Sequence, residues 1–286
     1  MKTNRIGIDI DYIYNNLGGF NKENMRDAIK LCSKHGFTQL DFMSPLYAEN
    51  YIDVAKFWRD EIEKNGLKVH QSHAPFFHYN PEKTLEEYKD ALSRSIDVSI
   101  ALGSKYLVVH GDEYRVKEGE IYDPEKVLAF CRELFSPYVE RANKCGLSIA
   151  FENLCENKAD PHFCSDVDEL ISLATAFGKD SGVSVCWDFG HGNYTYGERA
   201  IDAFKKAFPL ISCTHMHDNL TGIYRGDDHS LPLLGLMDWK AYMSYMRENG
   251  YKGNYTLELV YGHIPRELMD PFLSFSKDIV EYLMTL

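Results

Sequence analysis

Histidines and carboxylates recur in this chain at one kind of place, the end of a short apolar run. His73 closes LKVHQSH, His110 closes KYLVVH, Glu152 closes LSIAFE, and Asp188 closes VSVCWD with His191 three residues on. His215 and His217 close LISCTHMH, Glu258 stands near the end of NYTLELV, and Asp41 near the end of FTQLDFM. Asp227 and His229 follow the seventh run in GDDHS, so six of the eleven histidines belong to this set. Read singly, each has a plain structural role: a strand-end histidine is a hydrogen-bonded rim residue, and a strand-end carboxylate caps the next helix. Read together, they are harder to explain that way. Carboxylates gathered in one place repel each other and lose hydration, and a divalent cation removes that cost. Imidazole plus carboxylate without thiolate suits manganese, zinc, cobalt or ferrous iron, whereas magnesium prefers oxygen alone. His215 and His217, two apart on one strand, face the same side at different depths, so one can ligate while the other supports it or touches substrate.

Such a set needs elements that bring the run ends together. β-Rich runs are expected near 5–10, 37–43, 67–73, 105–110, 147–152, 183–188, 210–217 and 254–260. Amphipathic helical patterns lie between them, near 22–35, 50–65, 82–102, 124–145, 166–178, 197–208, 238–249 and 266–285. Gly36, Gly66, Gly103, Gly146 and Gly250 each follow a helical run and precede a strand, which fits left-handed helix C-caps. Eight such repeats without a Pro/Gly/Ser-rich linker predict one α/β domain over 1–286, a (β/α)8 TIM barrel. The doubly wound open sheet is the alternative, but DYIYNNLGGFN after the first strand has no GxGxxG spacing. In a barrel the strand C-termini share one face, where active sites are built.

Composition bounds the function. The chain has 286 residues, 44% of them apolar, and a formal net charge of −12. That acidity opposes non-specific binding to nucleic acid. The seven cysteines are odd in number and form no CxxC pair, which argues against a disulfide framework or a thiolate zinc site and for a reducing, cytoplasmic setting. MKTNRIGIDI lacks a signal-like apolar core, and no apolar stretch is long enough to span a membrane. A small-molecule substrate is expected, with no nucleic-acid or membrane partner. A homo-oligomer is compatible with this composition.

Glu152 in FEN, Asp188 with His191 in WDFGH, His215 before Asp218 in HMHD, the later LGLMDW, and Glu258 in TLEL together resemble the xylose-isomerase-like barrel superfamily. That group includes sugar and sugar-phosphate isomerases and epimerases, inosose dehydratases and barrel-type AP endonucleases, and the resemblance spans nearly the whole chain. Its ketose 3-epimerases imply one manganese-like ion held by Glu152, Asp188, His215 and Glu258. They also imply that Glu152 and Glu258 act as acid and base on opposite faces of the sugar, and that His191 contacts substrate. Those enzymes carry a substrate-binding arginine six residues after the metal histidine; here Thr221 stands there, and Arg225 nearby is the candidate for such a contact. The AP endonucleases imply further ligands at His73, His110, His191, Asp227 and His229, hence more than one ion. Their glycine-rich segment after the strand-five glutamate is replaced here by ENLCENKAD.

The chemistry expected is proton transfer next to a carbonyl. An ion that chelates a hydroxy-ketone acidifies its α-proton, and carboxylates on either face remove and return it. Return to the same carbon epimerises, return to the neighbouring carbon isomerises, and loss of a β-hydroxyl dehydrates. The alternative is a multinuclear zinc hydrolase of the AP endonuclease or phosphodiesterase kind, and a third reading is a barrel that binds without turnover. Phe76, Phe77, Tyr114, Trp187, Tyr194 and Tyr224 near the run ends could stack on a sugar or could simply pack the core.

Overall fold

The computed structural model describes residues 5–43, 47–77, 82–114, 121–155, 162–220, 226–260 and 262–286. In chain order they form β1 (Ile6–Asp9), α1 (Ile10–Asn16), α2 (Lys22–Lys34), β2 (Gln39–Met43), α3 (Tyr51–Lys64), β3 (Lys68–His73), α4 (Leu85–Leu102), β4 (Tyr106–His110) and α5 (Pro124–Lys144). The second half continues with β5 (Ser148–Glu152), α6 (Val167–Thr175), β6 (Ser184–Asp188), α7 (Phe189–Tyr196), α8 (Ala200–Ala207), β7 (Ile211–His215), α9 (Trp239–Glu248), β8 (Tyr255–Leu257) and α10 (Met269–Leu283). All eight expected strands are present, and every strand pairing is parallel. The order runs β7-β6-β5-β4-β3-β2-β1-β8, and a parallel bridge between Met216 and Leu257 brings the two ends together into a nearly closed barrel. Two helices have no counterpart in the sequence expectation: α1 and α7, each starting directly at a strand end.

Strand alternation divides the side chains between two cores. Ile6 and Ile8, Leu40 and Phe42, Ile149 and Phe151, and Val185 and Trp187 face outward into the layer shared with the helices. Tyr106, Val108, Ala150, Cys186 and Cys213 form a separate buried cluster inside the barrel. The helices present their apolar stripes to the sheet; α4 is held at its start by a Thr84–Glu87 capping box and at its end by Gly103 at φ 77°, which suits the residue without a Cβ. All five glycines expected at helix ends have φ between 68° and 80°.

Register sets the level of the chemistry-bearing residues. Asp9 lies beside Asp41, Met43 beside His73, His110 beside Glu152, and Asp188 beside His215. Inward positions are therefore apolar at mid-barrel and polar at the C-terminal rim. The polar layer reaches inward on one side: Gln71 Nε2 donates to Asp41 Oδ2 at 2.8 Å, and Thr256 Oγ1 donates to Gln71 Oε1 at 3.3 Å. Among the described residues no helix is long and apolar enough to cross a membrane.

Candidate metal centre

Glu152 is the hub of the barrel mouth. Its Oε1 lies 2.6 Å from His215 Nδ1, and its Oε2 lies 3.1 Å from His73 Nε2 and 3.2 Å from His110 Nε2. Glu258 Oε2 approaches His215 Nδ1 to 3.4 Å and His229 Nδ1 to 3.5 Å. Glu152, Asp188, His215 and Glu258 each offer one donor atom, and the four atoms lie within 4.8 Å of one another. His73, His110 and Glu152 form a second such group that shares the same glutamate. The strand ends expected to converge do so, because register places them in one layer.

A further group lies on the β6–β7 side: His191, His217, Asp227 and His229. Asp227 Oδ2 is 3.2 Å from His191 Nε2 and 2.9 Å from His229 Nε2, while His217 Nε2 is 2.9 Å from Asp188 Oδ1. The His217 and His229 rings stack with centroids 3.8 Å apart. His215 and His217 both face inward, as alternation requires, but they serve different groups. The glycines of WDFGHG make room for this: a Cβ at Gly190 would overlap the His217 ring, and one at Gly192 would come 2.8 Å from Trp187 Cζ2. Asp188 also fulfils the plain reading, since its Oδ1 accepts from His191 N at 2.6 Å and caps α7.

Nearly all of these groups are buried, so their charges must balance locally. Burial raises the Glu152 carboxyl, but the His215, His110 and His73 imidazoles outweigh it and hold the group well below the usual carboxylate range. Burial likewise opposes protonation of His215 and His191, yet Glu152 and Glu258 around the first, and Asp188 and Asp227 around the second, hold both well above the usual imidazole value. His229 is raised to about 9 against burial, chiefly by its hydrogen bond to Asp227. His110 goes the other way, to about 4, because burial outweighs its contact with Glu152. Imidazolium protons and a divalent cation are alternative ways to balance the same carboxylates. Asp188 Oδ2, Asp227 Oδ1 and His217 Nδ1 are buried without a hydrogen-bond partner. Unpaired buried donors of this kind fit a cation. Cys186 also lies near Glu152 and His215, but burial and the adjacent Cys213 keep its thiol protonated.

Asp41 and Asp218, both noted in the sequence, and Asn153, which was not, support the ligand candidates. Asp41 Oδ2 sits 2.9 Å from His215 Nε2, leaving Nδ1 toward Glu152; a carboxylate there fixes the ring and its tautomer. Asn153, next to Glu152, donates to Asp188 O at 2.8 Å, accepts from Asp188 N at 2.7 Å, and its own carbonyl lies 2.9 Å from His191 Nδ1. It ties the β5 and β6 ends together. Asp218 accepts from Asn219 N, Leu233 N, Met237 N and Trp239 Nε1, and its backbone pairs with Ser230. HMHD and LGLMDW are thus two halves of one loop clamp, which also carries Asp227 and His229.

The aromatic expectation divides. Trp187 is fully buried and packs on Phe204, so it belongs to the outer core and not to the mouth. Alternation explains it, since Asp188 next to it faces inward. Phe77 packs on Tyr88 and Tyr114 on Phe130. Phe76 is 40% exposed and stacks on His110 with centroids 4.3 Å apart, at the mouth itself. Thr221, Tyr224 and Arg225 lie outside the described residues.

A family model described as the xylose isomerase-like TIM barrel matches residues 29–277. An uncharacterized protein of Sinorhizobium fredii, y4fM, is 24% identical over 80% of this chain and 79% of its own length. Among solved structures, the IOLI protein with a bound zinc atom superposes with TM-score 0.76 at 17% identity, covering 98% of both chains. A D-tagatose 3-epimerase-like protein gives TM-score 0.74 at 18% identity over 98% of this chain and 97% of that one. A family 2 AP endonuclease from Brucella melitensis gives 0.70 at 16% identity over 95% and 97%.

Proposed function

Because this chain belongs to the xylose isomerase-like TIM-barrel family, we propose that it is a divalent-metal-dependent sugar isomerase or epimerase. Glu152, Asp188, His215 and Glu258 hold the ion, manganese or zinc, and Glu152 and Glu258 are the acid–base pair. The observation that carries this reading is the convergence of those four donor atoms in the mouth. When bound, the ion supplies Lewis-acid polarisation of a hydroxy-ketone. The glutamates then do the proton work. Glu258, with its side chain 14% exposed against 1% for Glu152, is the carboxylate more open to substrate and removes or returns the proton on one face. Glu152, kept ionised by three imidazoles, would take the proton from the other face when Glu258 returns one, and return one when Glu258 has taken it. His191 contacts the sugar, Phe76 offers it an apolar platform, and the passing enediolate is shielded from water by the barrel walls. Epimerised, isomerised and dehydrated products all follow from that species. The seven cysteines are all unpaired, which supports a reducing, cytoplasmic setting.

The donor groups built on His73, His110, His191, His217, Asp227 and His229 favour a second reading, a multinuclear zinc hydrolase. One experiment separates the two. The purified protein is analysed for metal, then incubated in deuterated water with ketoses, ketose phosphates and inososes. The proposal expects deuterium at the carbon next to the carbonyl. Glu152→Gln and Glu258→Gln should each slow exchange by about 10²–10⁴-fold with the fold intact, metal content being measured in both variants. Two or three zinc ions per chain with cleavage of a phosphodiester and no exchange would establish the hydrolase instead.

A further inference from the structure

Single apolar side chains at a surface need no explanation; three in one rigid loop do. Leu233, Leu234 and Leu236, between β7 and α9, are 45%, 58% and 57% exposed. Their loop is held from beneath. Leu233 N donates to Asp218 Oδ2 at 2.9 Å, and Met237 N donates to Oδ1 of the same carboxylate at 3.3 Å. Leu236 N donates to Asn219 O and Leu234 N to Leu231 O, each at 3.1 Å. Leu233 takes φ 74°, a left-handed backbone that a leucine adopts only where its surroundings dictate it. The fold thus fixes three leucines toward water on a loop that is already ordered, so a partner meets a preorganised knob. A hollow of about 410 Å³ lies directly beside it, between α7, α8 and α9. Leu236 forms one wall of the hollow, and Ile201, Ala241 and Tyr242 are its other apolar walls.

We propose that this face is the contact between two copies of the chain, with Leu233 and Leu234 of each seated over the hollow of the other. Knob and hollow lie side by side, so a two-fold axis passing between them forms both contacts at once and closes the assembly. The rim favours a second copy over other partners. Glu198 and Asp238 line the hollow, Arg199 and Lys240 stand beside them in the sequence, and all four are exposed. Among the described residues neither of the two cations is in an ion pair. A rim of both signs lets each acid meet a base of the other copy, whereas a partner of one sign would leave half the rim facing like charge. The two carboxylates at the hollow also oppose burial of the leucines among anionic lipids. Stable contacts cover about 800 Å² on each partner; the leucine loop and the hollow form the apolar centre and the four charges the rim. The same Asp218 that holds the knob pairs its backbone with Ser230, next to His229. The contact therefore braces from outside the loop that carries Asp227 and His229.

The test is sedimentation velocity on the full chain across the micromolar range, where the wild type should sediment as a dimer. Leu234→Asp puts a charge on the knob, and Ala241→Arg fills the hollow from the other side. Each should raise the dissociation constant about thirty-fold or more, the effect of losing a central contact. Phe275→Asp, at a side chain of similar exposure on α10 (54%), should leave the dimer intact. Circular dichroism checks that all three variants fold; if Ala241→Arg does not, Leu234→Asp and Phe275→Asp carry the comparison. A monomer throughout the range, a species that keeps growing with concentration, a dimer indifferent to Leu234→Asp or to a folded Ala241→Arg, or a dimer that Phe275→Asp breaks as readily would each overturn the proposal. Flotation with phosphatidylcholine–phosphatidylglycerol vesicles identifies the other occupant. The wild type should stay behind, and a monomer that floats through Leu234 would assign the leucines to a lipid surface instead.

Discussion

Replacing Asp218 with Asn tests whether one buried carboxylate holds the loop that carries Asp227 and His229. The two oxygens of Asp218 divide four donors. Oδ1 accepts from Asn219 N at 3.0 Å and Met237 N at 3.3 Å; Oδ2 accepts from Leu233 N at 2.9 Å and Trp239 Nε1 at 2.7 Å. An amide has one acceptor and one donor group, so whichever way it turns, two buried donors face an NH2. Hydrogen bonds to a charged group are worth about 1.5–3 kcal/mol each, so losing two costs about 3–6 kcal/mol. Room for relaxation is small: Asp218 is fully buried, and a Cβ at Gly235 would already overlap it. With about 2 °C per kcal/mol for a chain of this size, the melting temperature should fall by roughly 6–12 °C, read by circular dichroism. Zinc titration of the same variant should show weaker binding at the group containing Asp227 and His229 while the Glu152 group keeps its ion. A shift under about 2 °C would refute the counting of donors, and an unchanged zinc isotherm would refute the link from clamp to centre.

Gly190→Ala places a methyl against the His217 ring; overpacking of this kind costs about 1–3 kcal/mol, and a displaced ligand should weaken zinc binding there about 10–100-fold, so an unaltered isotherm and melt would count against the proposed role of His217. Proton release gives an independent check. His191 and His215 are held well above the ordinary imidazole value, and His229 at about 9, so at pH 7 these rings carry protons that a cation must displace, and affinity should rise as pH rises from 6 toward 9. Calorimetry in buffers of different ionisation enthalpy should find about one or more protons released per zinc at pH 7; zero release would mean that those rings do not ligate.

Much of this arrangement is readable in one dimension because a barrel turns sequence position into spatial position. Once a run is recognised as a strand, its last inward residue is at the rim, and parallel pairing puts neighbouring ends side by side. Asp41, His73, His110, Glu152, Asp188, His215 and Glu258 could be gathered into one ring on that argument, while singling out Glu152, Asp188, His215 and Glu258 as one ligand set rested on the resemblance; the period-two rule assigned His215 and His217 to one face. The same rule, carried one residue back, would have moved Trp187 out of the mouth, as the structure does. The helices α1 and α7 were hidden because they start at the strand end itself, with no loop residues to announce them, and FGHGNYTY has little helical periodicity.

What the sequence alone determined was the order of elements, the layer in which the reactive side chains sit, and the nitrogen-and-oxygen character of their donors. These follow from local alternation and composition. Only the tertiary structure decided which donors meet which. The pairing of Asp41 with His215, 174 positions apart, depends on Nε2 pointing across the barrel, and that depends on packing around the ring. The division of the histidines into groups around Glu152 and Asp227 depends on the β6–β7 register shift and on the Asp218 clamp. A cavity beside Asp11 draws its lining from β1, α1, β2 and the segment after β8, which lie far apart in sequence. Long-range contacts of this kind are set by how the whole core fills space, and no local pattern carries that information.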